Sequence, residues 1–269
     1  MVDSRLHGIV RYNFYKRIKN ESNSSQPFMS SIAIIRSQIE SRLPGALSPY
    51  IAPEPEMIAT GIQILDRKTG GIPKSGLTQV CAPAGVSSGR TTLLLSVMER
   101  VTSREEFCAL VDASDSFDPA SAEAAGVDMS RLLWARCKGN RGMRPLEQAF
   151  RAADIILQNG GFGLMAVDLG NIEERLVRKV PLSTWFRFAR VVEKMPAALV
   201  FLLSHSAAQS CAALTLHVAA RQASWQGLDH VSHAHFLSRV ECEIEIGRAR
   251  LRKPVQSAGD RFTATSVWA

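Results

Sequence analysis

The chain has 269 residues, 46% of them hydrophobic, and a formal net charge of +7. That length supports one substantial core and not comfortably two domains, and the apolar content excludes a chain that stays disordered. The longest apolar run, Ala197 to Leu203, is too short to cross a bilayer, and the amino-terminal stretch has no apolar signal-peptide core, so the expectation is a soluble cytoplasmic protein with no membrane role.

The positive charge sits at the two ends. Arg5, Arg11, Lys16, Arg17 and Lys19 face only Asp3 in the first segment. Arg248, Arg250, Arg252, Lys253 and Arg261 face only Asp260 in the last, leaving the middle close to neutral. Basic arms suit a polyanion, DNA first, through phosphate contacts and counterion release; contact with a protein partner and a merely solvated tail are the alternatives. Tyr12, Phe14 and Tyr15 lie among the first charges, where they can stack on bases. These features divide the chain into a basic flexible arm (1–28), a short helix with a proline-rich connector (29–57), a core (58–246) and a basic tail (247–269). Within the second segment, Ile32, Ile35, Ile39 and Leu43 form a helical stripe. A helix this short must dock to be stable, on its own core or on a neighbour.

The core opens with Thr60-Gly61-Ile62-Gln63-Ile64-Leu65-Asp66 and Gly70-Gly71-Ile72-Pro73. A strand, Leu77 to Ala82, follows, and then Ala84-Gly85-Val86-Ser87-Ser88-Gly89-Arg90-Thr91-Thr92 before a helix over Thr91 to Val101. That is the spacing of a phosphate-binding loop, whose backbone amides cradle phosphates, whose lysine reaches the β/γ oxygens and whose hydroxyl holds Mg²⁺. Ala84 stands at the first glycine and Arg90 at the lysine. Ala84, Gly85, Ser87, Ser88, Gly89, Arg90, Thr91 and Thr92 are therefore the candidate nucleotide-binding residues.

Further strands follow at α/β spacing: Phe107 to Asp112, Leu132 to Ala135, Phe162 to Asp168 and Ala197 to Leu203. Each is a near-continuous apolar run, as strands buried on both faces are. Between them lie helical stripes at Leu146, Ala149, Phe150, Ala153 and Leu157, and at Leu182, Trp185, Phe186, Ala189 and Val192. The alternation predicts an α/β fold with a mainly parallel sheet flanked by helices. Ligands of such sheets sit at the carboxyl ends of the strands, where Asp168 is the candidate to support a bound metal. Later, Leu214, Leu216 and Val218, and Val240, Cys242, Ile244 and Ile246, alternate with polar residues and predict antiparallel edge strands near the carboxyl terminus. His230, His233 and His235 match no strong metal spacing, so no metal site is expected there. The five scattered cysteines read as small buried hydrophobes in a reducing compartment.

The order of these motifs resembles the RecA recombinase family over roughly residues 58–206. The carrying segments are the Thr60–Asp66 and Gly70–Pro73 stretch, the phosphate loop, Leu110-Val111-Asp112-Ala113, Asp118-Pro119, Gly126-Val127-Asp128 and Leu132-Leu133. The resemblance implies a RecA-like core binding ATP and Mg²⁺, with Asp168 as the metal-supporting acid. It also exposes three degenerate positions. Arg90 replaces the lysine, Ser114 matches the glutamate that activates the lytic water, and His205 matches the glutamine that senses the γ-phosphate. Serine is no general base near neutral pH, and an arginine is a poor replacement for a lysine that threads beneath phosphates. The expectation is little or no ATP hydrolysis and no catalytic residue, with retained nucleotide binding left open.

The run Ser87-Ser88-Gly89-Arg90-Thr91-Thr92 with a basic extension resembles, within that family, the ImuA group of translesion-synthesis accessory proteins. That resemblance implies a role in the SOS response, with a Y-family polymerase homologue of the ImuB type and an error-prone replicative-type polymerase as partners, and RecA and DNA as further ones. Arg11, Lys16, Arg17, Lys19, Arg248, Arg250, Arg252 and Lys253 are the candidate DNA or partner contacts. A DNA-dependent ATPase or recombinase and a RecA-fold cell-division inhibitor are the competing readings. Arg90, Ser114 and the short loop after His205 weigh against the first. The retained loop spacing and Asp168 weigh against the second.

Overall fold

The computed structural model describes residues 31–45, 47, 55–85, 88–137, 143–227, 235–249 and 260–265. The chain divides into two units, 1–53 and 54–269. In the first, helix α1 (Ser31–Arg42) carries the predicted stripe, with Ile32 and Ile35 each 52% exposed. The second unit contains the core.

That unit begins with β1 (Met57–Ile58), α2 (Gln63–Thr69) and β2 (Ile72–Pro73), where β1 and β2 pair antiparallel. The opening motif proves to be a structural lock. Asp66 Oδ1 accepts the Thr60 amide at 2.8 Å and its hydroxyl at 2.7 Å, while Oδ2 accepts the Gly61 amide at 3.1 Å. Gly70 closes α2 in the left-handed region. Gly71 has φ +116, and any Cβ there would overlap the Ile58 carbonyl, so only glycine lets β2 reach β1.

Then come β3 (Gly76–Cys81), α3 (Arg90–Thr102), β4 (Cys108–Asp112), α4 (Pro119–Ala124), β5 (Leu132–Arg136), α5 (Arg144–Asn159), β6 (Leu164–Asp168), α6 (Glu174–Val177), α7 (Leu182–Val192) and β7 (Ala198–Leu203). They are followed by β8 (Leu214–Gly227), β9 (His235–Ala249) and β10 (Asp260–Thr265). The main sheet runs β10-β9-β8-β3-β7-β6-β4-β5. Every pair from β8 to β5 is parallel, and β9 and β10 add antiparallel. The expected α/β architecture is present. One detail differs: β8 is parallel to β3, so the antiparallel extension starts one strand later than the alternation predicts.

The strands alternate their side chains between two cores. Val80, Leu110, Ala166, Val200 and Leu216 pack with Leu93, Val97 and Met98 of α3 on one face. Leu77, Val111, Val167, Leu199 and Phe201 pack with Leu146 and Ala149 of α5 and with Trp185 and Phe188 of α7 on the other. An aromatic cluster seals this second core, with Trp185 and Phe201 centroids 5.0 Å apart and Phe150 at 5.8 Å from Trp185.

Three expectations are corrected. First, β5 is an edge strand and not doubly buried: Leu133 is 46% exposed because nothing pairs beyond it among the described residues. Second, α7 turns a different arc inward. Leu182 and Phe186 are exposed and Phe188 is fully buried, because Phe188 sits nearer the Trp185–Val192 line on a 3.6-residue helix than Phe186 does. Third, the basic tail from 247 is partly sheet. β9 continues to Ala249 with Arg248 opposite Thr215, and β10 pairs with β9 over Arg239–Ile244. Alternating Glu241 and Glu243 meet Arg261 and Arg221 across the strands, which supplies the pairing signal.

Candidate functional site

The carboxyl ends of β3, β7, β6 and β4 lie side by side. Cys81 is in register with Leu203, Leu202 with Asp168, and Asp168 with Asp112. The loop from Ala82 to Gly89 springs from this row and opens α3. Ala84, Gly85, Thr91 and Thr92 are exposed, Ser88 is buried, and Val86 and Ser87 lie outside the described residues. Gly89 has φ +80 and caps the helix in the left-handed region. It also lies against β9 and β10: a Cβ on Gly89 would sit 2.5 Å from Cys242 Sγ and 3.1 Å from Phe262 Cζ. The strands of the antiparallel extension therefore close over the start of the helix.

Arg90 turns inward. Its Nη1 donates to the Ala82 carbonyl and to the Leu203 carbonyl, both at 3.2 Å. Leu203 O also accepts the Ala82 amide at 3.0 Å. One guanidinium thus ties the ends of β3 and β7 to the first turn of α3. The flat group lies on Gly170, where any side chain would overlap it. Its charge is felt nearby: burial pushes the Cys81 thiol up to about 12, against the lowering pull of Arg90.

Asp168 is enclosed. Its Oδ1 accepts the Gly170 amide at 2.8 Å and the Ser114 hydroxyl at 3.0 Å, and Oδ2 accepts the Ser116 hydroxyl at 3.1 Å. Ser114 Oγ in turn accepts the Asn171 amide at 3.0 Å. The residue at the water-activating position is therefore spent on holding the acid behind it. Asp115, next in sequence, points away and pairs with Arg136 at 2.6 Å. Asp112 accepts the amides of Ser116 and Phe117 at 3.3 and 3.2 Å, which folds this turn back over the strand ends.

Burial raises the Asp168 carboxyl above its ordinary value of 3.8; the Gly170 amide and Arg90 lower it and Asp112 raises it further, and burial wins. A raised folded value means the native state holds the proton more tightly than the unfolded chain. The stability this confers is complete below 3.8 and lost as pH climbs through the folded value. Asp168→Asn keeps an oxygen for the Gly170 amide and removes the titration. We expect the variant to lack the wild-type fall in stability above about pH 4, measured by urea unfolding across a pH series. Parallel curves for the two proteins would refute this.

His205 lies two residues beyond the end of β7, its Nδ1 3.1 Å from Ser204 Oγ. Burial lowers its pKa, the Glu174 carboxylate raises it and Arg178 lowers it, and burial wins. Beside it a cleft of about 380 Å³ opens between Pro83, His217, Arg221 and Glu245. Arg221 is paired with Glu243 there, which leaves the cleft without an uncommitted cation for a phosphate among the described residues. Gln79 holds the segment after His205 in place. It is fully buried in β3, donates to Ser206 Oγ at 2.7 Å and Thr215 Oγ1 at 2.8 Å, and accepts the Ala208 amide at 3.1 Å. Sequence reasoning missed it; a single amide inside the apolar run Leu77 to Ala82 was the signal.

The described side chains at this site, as arranged, do not fit ATP·Mg²⁺. Thr91 keeps an exposed hydroxyl, but the arginine at the lysine position is committed to carbonyls and the acid is saturated by donors. No cluster of three or more metal-ligating side chains occurs among the described residues, and none of their helices is long and apolar enough to cross a membrane. Arg248 is exposed on β9, whereas Arg11, Lys16, Arg17, Lys19, Arg250, Arg252 and Lys253 lie outside the described residues, as do His230 and His233.

Residues 50–173 match the RecA N-terminal domain. The chain is 28% identical over 162 residues to Protein RecA of Desulfotalea psychrophila, covering 54% of this chain and 43% of that protein. It is 28% identical over 150 residues to Protein RecA of Acinetobacter baumannii, covering 55% and 41%, and 34% identical over 115 residues to Protein RecA of Wigglesworthia glossinidia brevipalpis, covering 42% and 32%. The chain thus spans less than half the length of these curated relatives. The matched segment includes the loop, Arg90, Ser114 and Asp168. Over that segment the core is similar to the RecA N-terminal domain.

Proposed function

We propose that this RecA-like chain is an accessory protein of damage-induced translesion DNA synthesis, which works by holding partners together and does not turn over ATP. The observation that carries the non-catalytic part is the inward Arg90, bonded to Ala82 O and Leu203 O while Ser114 braces Asp168. Phosphoryl transfer depends on positioning and charge stabilisation, and a site whose loop arginine is tied to two backbone carbonyls, with a serine at the water position, supplies neither. These departures also argue against a DNA-dependent ATPase or recombinase.

The narrower assignment, to the ImuA-like group, is supported by the run Ser87-Ser88-Gly89-Arg90-Thr91-Thr92 and the basic carboxyl-terminal segment. On this reading the chain acts in the cytoplasm. It engages a Y-family polymerase homologue and an error-prone replicative-type polymerase, with RecA as a further contact. Arg11, Lys16, Arg17, Lys19, Arg248, Arg250, Arg252 and Lys253 meet DNA or these proteins.

ATP hydrolysis by the purified chain is expected to stay at background with and without single-stranded DNA, and Arg90→Ala to change nothing. Turnover that disappears in Arg90→Ala would overturn the non-catalytic reading. Co-purification with a Y-family polymerase homologue tests the partner assignment separately.

A further inference from the structure

The far end of the second core carries a groove that the nucleotide site does not explain. It runs as a wide, open groove of about 930 Å³ between the end of α5 and the outer face of α7. Its floor is apolar, formed by Leu157, Phe186, Val191 and Met195. Phe186 is 43% exposed, and Leu182 beside it is exposed as well, although the inward turn of Phe188 gave α7 all the burial its core face needs. A large aromatic left open in a concavity marks an interaction surface more often than a solitary exposed apolar residue does.

The charges lining the groove have one sign. Arg187, Arg190 and Lys194 line it and no acidic side chain does. Arg187 is held by Asp154 of α5 and lies over the Phe188 ring at 4.9 Å. Arg190 and Lys194 are exposed and make no ion pair among the described residues. The chain's own basic segments, 1–19 and 248–253, carry the same sign as this rim and are poor occupants. A nucleic-acid strand could stack a base on Phe186 but has nothing to place on the aliphatic Leu157, Val191 and Met195.

We infer that the α5–α7 groove binds an acidic protein segment that carries large apolar anchors, in the helix-in-groove or short-peptide manner. The anchors lie on Phe186, Val191 and Met195, and carboxylates meet Arg190 and Lys194. This inference is independent of the reading of the nucleotide site, since no residue is shared between them.

The test selects a phage-displayed library of short random peptides on the full-length chain and measures the enriched peptides, fluorescently labelled, by anisotropy. We expect enrichment of Asp and Glu together with Leu, Phe or Trp. Binding should weaken by at least about tenfold, equivalent to 1.4 kcal/mol, in the Arg190→Glu/Lys194→Glu variant and in Phe186→Ala, and should weaken with added salt. All three side chains are exposed, so the thermal melts of these variants should match the wild type, which separates lost binding from lost folding. The inference is overturned if no peptide is enriched, if enriched peptides show no acidic bias, or if charge reversal leaves their affinity unchanged. Self-association of the chain that disappears in the double variant would put a second copy in the groove and equally overturn it.

Discussion

Arg90→Ala should lower the unfolding free energy by about 2–4 kcal/mol in urea titrations. Two hydrogen bonds from a charged donor are lost, each worth about 1.5–3 kcal/mol when fully buried, and the guanidinium here is only half-buried, which trims the sum. The Ala82 and Leu203 carbonyls lose a donor, and the buried Asp168 loses the nearby cation that opposes its desolvation. Arg90→Lys should recover less than half of the loss. A lysine is a point donor without the planar fork, and it cannot lie flat on Gly170 in the same way. Nor should it create an ATPase, because Ser114 remains. The sign of the effect is diagnostic. Removing a residue kept for chemistry tends to leave a protein as stable or more so, whereas removing a structural tie costs stability. An Arg90→Ala protein as stable as the wild type would mean that the side chain is held in reserve for a ligand.

Gln79→Leu should cost about 3 kcal/mol and loosen one segment in particular. The substitution is close in volume, so the loss is not a cavity effect. It strands the Ser206 and Thr215 hydroxyls and the Ala208 amide, each costing about 1–3 kcal/mol if left without a partner. Some relief comes from water reaching Ser206, which is exposed, but Thr215 is buried with Gln79. Hydrogen exchange at Ala208 should accelerate well beyond the global change, while amides of β6 follow global stability. Uniform acceleration across the sheet would show that Gln79 is an ordinary core residue and not the anchor of the turn after β7.

Much of the fold was legible because its signals are local. Apolar runs ending in Asp112 and Asp168 announce doubly buried strands, and the glycine spacing around Gly89 announces the turn into α3. The Thr60–Asp66 motif was recognisable as a pattern, yet its physical content, a carboxylate capping two amides and a hydroxyl, appears only in three dimensions. What could not be read depends on partners distant in the chain. Arg90 is visible in the sequence as a misfit, but its destination is set by Leu203 on another strand. The Gln79 network joins residues more than a hundred positions apart. The apolar arc of α7 was drawn through Phe186, whereas the line from Trp185 to Val192 on the same helix brings Phe188 inward, where it packs against Phe201 and Phe150. The recruitment of β10 was hidden for a similar reason: a short polar strand earns its place through cross-strand pairs that have no fixed spacing.

The cation seated at the strand ends is a side chain, and this has a regulatory corollary. A nucleotide-driven switch reports the cell's energy state because its charge arrives and departs with a diffusing ligand. A tethered guanidinium has the same occupancy at every ratio of ATP to ADP. On the accessory role proposed above, a complex assembled on this chain would keep one shape in a starved cell and in a well-fed one, and its timing would have to come from how much of the chain is made and how fast it is removed.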